Sequence, residues 1–234
     1  MSSSLPVMLI LGAGANIGAN VAQTFAANGY KVVLTSRTAV KGDDDSAYTH
    51  IQGDLSKPDT VADIFARVRT LAGEPSMVVY NAAAAAMTTK EDPFAISLET
   101  FQQHLDINTT SVFSAIKETL VSFASPTLPA TASRTFIYTG NALNTIQMPA
   151  LLTLGVGKSA SAHLIACAAS AYGPKGYKFY YTDERRLDGS VAGQGISGEA
   201  HAELYDTLAK AKAQGPWLQT FVKDHGYVDF ASKQ

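Results

Sequence analysis

An apolar run from Val7 to Leu11 leads straight into Gly12-Ala-Gly14-Ala-Asn16-Ile17-Gly18, and the residues from Ile17 to Ala27 are helical in composition. A continuous apolar run of this length suits a strand buried on both faces, and such strands belong to parallel sheets covered by helices. The rest of the chain repeats the alternation. Asn28-Gly29 stop the first helix, Lys31 to Thr35 form a second strand, and Tyr48 to Gln52 a weaker third. Pro58 opens a helix that reaches Leu71. Strands are predicted at Met77–Tyr80, Arg134–Tyr138 and Tyr177–Thr182, with helices over Leu98–Phe123 and Leu151–Tyr172 between them. A helix over Glu199–Lys212 and a strand near Phe221-Val222 close the pattern. The expectation is one α/β domain over residues 1–234. It would be a doubly wound parallel sheet of about seven strands with helices on both faces. Ligands of such folds bind beyond the carboxyl ends of the strands.

Composition narrows the function. Hydrophobic residues make up 46% of the 234 and charged residues 16%, which excludes a disordered chain. A formal net charge of −2 carries no basic footprint, so nucleic acid is not an expected partner. Cys167 is the one cysteine, which leaves no disulfide framework within the chain and no Cys-rich zinc site. The five histidines, at 50, 104, 163, 201 and 225, show no metal spacing, and no metal is expected. No run reaches the ~18 apolar residues of a membrane helix, and no Lys or Arg precedes Lys31. A cytoplasmic protein acting on a small-molecule substrate is expected. No Gly-x-Ser-x-Gly elbow is present. Gly157-Lys158-Ser159 ends like a P-loop, but Leu152 stands where its first glycine belongs and the segment reads as mid-helix.

A glycine turn between strand and helix lets backbone approach phosphate, and the helix N-terminus offers free N–H groups. Gly12-x3-Asn16-Ile17-Gly18 resembles the Gly-x3-Gly-x-Gly turn of the short-chain dehydrogenase/reductase family, with Asn16 in place of the middle glycine. Asparagine is the next residue most tolerant of left-handed backbone. Gly53-Asp54-Leu55 resembles the family's adenine-binding Asp, Asn81-Ala82-Ala83 its Asn-Ala-Gly, and Asp106-Ile107-Asn108 the segment holding its active-site Asn. The resemblance runs from about residue 5 to 160. It implies a Rossmann-type fold in which Gly12, Gly14, Asn16, Ile17 and Gly18 bind pyrophosphate. Asp54 and Leu55 would meet the adenine, and Asn81 and Ala82 the ribose side. Lys158 would hold the nicotinamide ribose, with Asn108 supporting it through water. Arg37, at the end of the second strand, suits a ribose 2′-phosphate and points to NADP(H).

Ordinary members pair a Tyr with a Lys four residues later on one helix face. Lys158 matches the Lys, but Leu154 stands at the Tyr position, and none of the ten tyrosines has a Lys four residues on. The family's Ser position falls on Asn141, whose amide hydrogen-bonds but does not titrate. Proton transfer typically contributes about 10²–10⁴-fold to rate. Candidate substitutes are Lys158, Tyr138, Tyr180, Tyr181 and His163, and an iminium substrate would need no strong acid. The expected activity is hydride transfer to a C=N, an activated C=C or a carbonyl held by Asn141. A non-redox cyclase or isomerase, and a nucleotide-binding sensor without turnover, remain open beside it.

Specificity is expected in the loops near Ala84–Phe94 and Arg185–Ser197. Lys41–Asp45 also reads as a loop. Asp183-Glu184-Arg185, where the family has Pro-Gly, reads as a surface charge cluster. Tyr180 and Tyr181 alternate across a strand, one predicted core and one exposed. The stretch from Gly215 to Phe230 is expected to cover the pocket or join a subunit contact. His163 and Cys167, four apart, read as core-facing or incidental. The resemblance also implies a homodimer or homotetramer built on the two long helices.

Overall fold

The computed structural model describes residues 5–38 and 47–230, so the loop expected at Lys41–Asp45 lies outside the described residues. The elements are β1 (Val7–Leu11), α1 (Ile17–Ala27), β2 (Lys31–Ser36), β3 (Thr49–Gln52), α2 (Thr60–Leu71) and β4 (Pro75–Tyr80). After them come α3 (Leu98–Leu105), α4 (Ser111–Phe123), β5 (Thr135–Thr139), α5 (Leu152–Tyr172), β6 (Lys178–Arg185), α6 (Gly198–Lys210), β7 (Leu218–Val222) and β8 (Gly226–Tyr227). One sheet runs in the order β3-β2-β1-β4-β5-β6-β7-β8. Among the described residues the strands of this sheet pair in parallel, except β7 with β8. The chain therefore reverses direction across the sheet between β1 and β4, the point where doubly wound folds open a crevice.

Strand alternation divides the core into two layers. Leu9, Leu11, Val33, Val78, Phe136 and Tyr181 face Val61, Phe65, Ile116 and Ile165 of α2, α4 and α5. Met8, Ile10, Val32, Val79, Ile137 and Tyr180 face Val21, Phe25, Leu204 and Tyr205 of α1 and α6. The continuous apolar runs are buried on both sides, as expected. Pro149–Lys175 is apolar enough, at mean hydropathy 1.3, and long enough to cross a membrane. In this fold one stripe of α5, including Gly157, Ser161 and Ile165, is buried in the helix layer of the sheet.

Four expectations change. The helix foreseen over Leu98–Phe123 is interrupted by a π-helical turn at Asp106–Thr110, the kind of widening that often marks a functional site. Strand β6 continues to Arg185, so Asp183 and Glu184 are buried rather than a surface cluster. Tyr180 and Tyr181 are both buried, one in each layer, because β6 is an interior strand. The stretch after Gly215 is part of the sheet and not a cover over the pocket. It supplies β7 and the short β8 hairpin, and Trp217 packs against the core.

Candidate functional site

The carboxyl ends of β1, β2 and β4 are sewn together around the glycine turn. The amides of Gly12 and Ala13 donate to the Thr35 carbonyl at 3.1 and 3.0 Å, and Asn81 Nδ2 donates to the Gly12 carbonyl at 2.8 Å. Gly12 has φ +94°, and a Cβ there would lie 2.6 Å from the Ala82 nitrogen. Both facts demand glycine. Gly18 passes closely over Ala13, 3.0 Å from where its Cβ would sit. Asn16 differs from expectation: its φ is −93°, not left-handed. The reason lies in its side chain, which reaches across to the segment before α6. Nδ2 donates to the Ile196 carbonyl and Oδ1 accepts from the Gly198 amide, each at 3.0 Å. No side chain caps α1, so Asn16 leaves the first-turn amides near Ile17 and Gly18 without a side-chain acceptor.

Two cavities open beside this turn and meet at Gly14, Asn81 and Ala83. The first, about 570 Å³, is bordered by Arg37, Asp54, Leu55, Ala82 and His104. Asp54 Oδ1 accepts the Ser56 amide and hydroxyl at 3.0 and 2.8 Å, which holds its carboxyl below the usual aspartate value. Leu55 is buried, and its carbonyl accepts the Ser111 hydroxyl at 2.7 Å, fixing β3's end to α4. Arg37 is exposed at the rim.

The second cavity, about 530 Å³, is bordered by Asn141, Met148, Leu151, Leu154, Lys158, Glu184, Val191 and His201. Lys158 is 3% exposed; its Nζ donates to the Thr139 carbonyl at 2.7 Å and lies 4.4 Å from the centre of the Tyr138 ring. Burial pulls its ammonium down to about 7, against the opposing pull of Asp183. Asn108 sits fully buried in the π turn. Its side chain clamps the backbone of Ala84, donating to the carbonyl at 2.8 Å and accepting from the amide at 2.9 Å. Its own carbonyl accepts the Ser161 hydroxyl at 2.5 Å. Asn141 is held at both ends of its backbone by the Tyr181 hydroxyl, which donates to its carbonyl at 2.7 Å and accepts from its amide at 3.1 Å. Gly140 makes room for that ring, since a Cβ there would fall 2.1 Å from it.

The tyrosines considered as substitute acids are spoken for. Tyr138 donates to the Asn108 carbonyl at 3.4 Å, Tyr181 to Asn141, and Tyr180 lies in the other core layer, donating to Ala213 at 3.4 Å. Burial raises all three above the ordinary tyrosine value. His163 is on the exposed side of α5, its Nε2 3.6 Å from Cys167 Sγ, so that pair is not core-facing.

The sequence profile of the enoyl-(acyl carrier protein) reductase family matches residues 12–181. The short chain dehydrogenase/reductase dmxR12 of Cryptosporiopsis sp. (strain 8999) is 60% identical over 97% of this chain and 96% of its own length. The chain belongs to the short-chain dehydrogenase/reductase family. Solved relatives share the fold at lower identity. The 3-oxoacyl-[acyl-carrier protein] reductase of Brucella melitensis matches with TM-score 0.75 at 17% identity, over 89% of this chain and 91% of that one. BdcA in complex with NADPH matches with TM-score 0.68 at 17% identity, over 99% and 98%.

In this short-chain dehydrogenase/reductase the turn residues Gly14, Asn16 and Ile17 border the same cavity as Asn141 and Lys158, while Gly12, Arg37, Asp54, Leu55 and Ala82 border the other. Asn108 supports the Ala83–Ala84 wall from behind. Sequence reasoning missed Glu184 and His201, which also border the Lys158 cavity. The available signal was position. Two carboxylates at the carboxyl end of an interior parallel strand fall where such folds bind ligands.

Proposed function

We propose that this chain is an NADP(H)-dependent oxidoreductase acting on a C=N, an activated C=C or a carbonyl of a small organic substrate. The observation that carries the reading is the pair of cavities meeting at Gly14, Asn81 and Ala83, one ending at Arg37 and the other at the buried Lys158. The residues fit a dinucleotide. Gly14 is open, with Asn81 Nδ2 3.9 Å from where a Cβ would sit, and the first-turn amides of α1 lack a side-chain cap. A diphosphate suits those amides and the helix dipole.

When bound, the reduced nicotinamide supplies hydride. The chain's own residues do the rest. Gly12, Gly14, Asn16, Ile17 and Gly18 cradle the pyrophosphate. Arg37 pairs with a 2′-phosphate, Asp54 and Leu55 meet the adenine, and Asn81 and Ala82 the ribose side. Lys158 holds the nicotinamide ribose by its ammonium, and Asn108 keeps the neighbouring wall in place. Asn141 orients a substrate oxygen or nitrogen through its amide. Leu154, on the face one turn before Lys158, gives the substrate an apolar contact and no proton. The binding of NADPH by BdcA, a relative by fold, agrees with the choice of cofactor. We place the protein in the cytoplasm as a homodimer or homotetramer.

Equilibrium titration with NADPH and with NADH, followed by cofactor fluorescence, tests this. Tight NADPH binding with at least tenfold weaker NADH binding is expected. Binding of neither cofactor overturns the reading.

A further inference from the structure

Lys158, Asn141 and Leu154 border the second cavity, and none of these supplies the carboxyl or phenol that a reduction commonly draws on. The same cavity is bordered from β6 and α6 by Glu184 and His201. Their side chains are 4% and 2% exposed, with Glu184 Oε2 3.4 Å from His201 Nδ1. One residue, Ser197, holds both. Its amide donates to Glu184 Oε2 at 2.8 Å, and its carbonyl lies 2.7 Å from His201 Nδ1. A carbonyl only accepts, so Nδ1 carries a proton and donates it; burial pulls the imidazole down to about 4, so near neutral pH it is uncharged and Nε2 is an acceptor. Asp183, the preceding residue, points to the other face, where its Oδ2 accepts from Arg185 Nε at 2.6 Å, and it does not border this cavity. Glu184 is thus the carboxyl that β6 gives to the cavity.

We propose that Glu184 exchanges the proton in this active site, with His201 as its positioning residue. This rests on the oxidoreductase reading above. As hydride from a dihydronicotinamide forms a C–H bond at the electrophilic carbon, the π pair of the C=O, C=N or C=C moves to oxygen, nitrogen or the α-carbon. That atom takes the Glu184 proton, leaving a carboxylate that solvent reprotonates and an oxidised nicotinamide. The surroundings favour a protonated carboxyl. Burial raises Glu184, and the raise is opposed by the Ser197 amide and by Lys223 beyond β7. His201, at about 4 through burial, brings no positive charge at neutral pH. Tyr205 from α6 is pushed up to about 12 and stays neutral, and Lys158 borders the same cavity from α5. Met148, Leu151, Leu154 and Val191 line the cavity with apolar surface, which suits an uncharged, largely apolar carbonyl or imine compound.

The test uses the full chain labelled with ¹³C at the glutamate carboxyls, with Glu184→Gln assigning the signal. Glu184 is expected to titrate above the ordinary glutamate range and to shift when NADPH is added. His201→Ala should lower the midpoint, while His201→Asn, whose amide can still donate to Ser197, should largely preserve it. Single-turnover NADPH oxidation is then measured with an aryl ketone, 2-cyclohexenone and 2-methyl-1-pyrroline. Any of these that the wild type reduces should be reduced at least about 10²-fold more slowly by Glu184→Gln, with NADPH affinity within threefold. An ordinary midpoint, a signal unmoved by bound NADPH, or wild-type turnover by Glu184→Gln overturns the proposal. The carboxyl titration needs no turnover, so it decides even where none of the three compounds reacts. Failure of the wild type to bind NADPH overturns the oxidoreductase reading instead, and the two failures are told apart by that titration.

Discussion

The two cavities share the glycine turn but are built from different chemistry. The Arg37 side is made largely of backbone and rim groups: the Gly12 turn, the Asp54 turn closed by Ser56, an exposed arginine. The Lys158 side is made of buried side chains: Lys158, Glu184 and His201 set among apolar walls. Backbone geometry follows from where strands end, so a fold carries it along. Buried titratable side chains must each be placed and solvated by neighbours, so they are where one member of a fold departs from another. Under the oxidoreductase proposal, the difference would put binding with the fold and chemistry with the individual chain.

The largest expected effect falls on the Lys158 side. Lys158→Met, by removing the ammonium proposed to position the nicotinamide ribose, should lower hydride transfer by about 10²-fold. It should also raise the melting temperature at pH 6, because a buried ammonium is replaced by an apolar chain of similar length. The folded state holds the proton more weakly than the unfolded one, with the ammonium near 7 rather than 10.5. Wild-type stability therefore gains as pH rises from about 7 toward 10.5, and the variant's advantage shrinks over that window. The shift bounds the effect at about 5 kcal/mol, less the Thr139 hydrogen bond lost. Thermal melts from pH 6 to 9 read it. An advantage that grows with pH would refute the assignment of a depressed lysine. On the other side, Gly12→Ala should cost roughly 2–4 kcal/mol, combining left-handed strain with a clash against rigid backbone. A melting temperature within 2 °C or so of wild type would show the turn to be softer than argued.

That same contrast governs how much the sequence revealed. The order of strands and helices was legible because buried parallel strands leave continuous apolar runs such as Val7–Leu11. The Gly12, Asp54, Asn81 and Arg37 positions were legible because each lies within two residues of a strand end. Glu184 and His201 were not. Asp183-Glu184-Arg185 has the composition of a solvated loop, and local composition carries no information about β7 pairing alongside it. Residue-level pattern also misread Asn16. Its residue type speaks only to backbone tolerance, whereas its side chain spans 180 residues of sequence to reach Ile196. The π turn at Asp106–Thr110 likewise arises from tertiary demand, since Asn108 must reach Ala84 with both side-chain atoms.

Arg37→Ala sharpens the comparison at a smaller scale. A lost charge-assisted contact to a 2′-phosphate should weaken NADPH by about tenfold and leave NADH within twofold or so. The catalytic rate at saturating NADPH should stay near wild type, because Arg37 borders only the first cavity. Parallel fluorescence titrations and saturation kinetics measure both. Equal loss of the two cofactors would remove Arg37 as the selecting residue.

The smallest effect tests the one side chain that joins the two regions. Asn16 belongs to the glycine turn by sequence but hydrogen-bonds Ile196 and Gly198, which flank the Ser197 that holds Glu184 and His201. Gly198 has no room for a side chain, since a Cβ would fall 2.5 Å from Asn16 Oδ1 and from Asn20 Nδ2. The contact is tight but solvent-facing, so Asn16→Ala should cost only about 1 kcal/mol. The cost should be local. Amide hydrogen exchange should quicken at Ile196 to Gly198 and stay unchanged at Gly53 to Ser56, on the far side of the turn. Asn16 would meet the diphosphate by its backbone, since both polar atoms of its side chain are engaged with Ile196 and Gly198, so NADPH binding should change little. If exchange quickens equally on both sides, the two cavities are one cooperative unit, and the division of labour drawn between them is wrong.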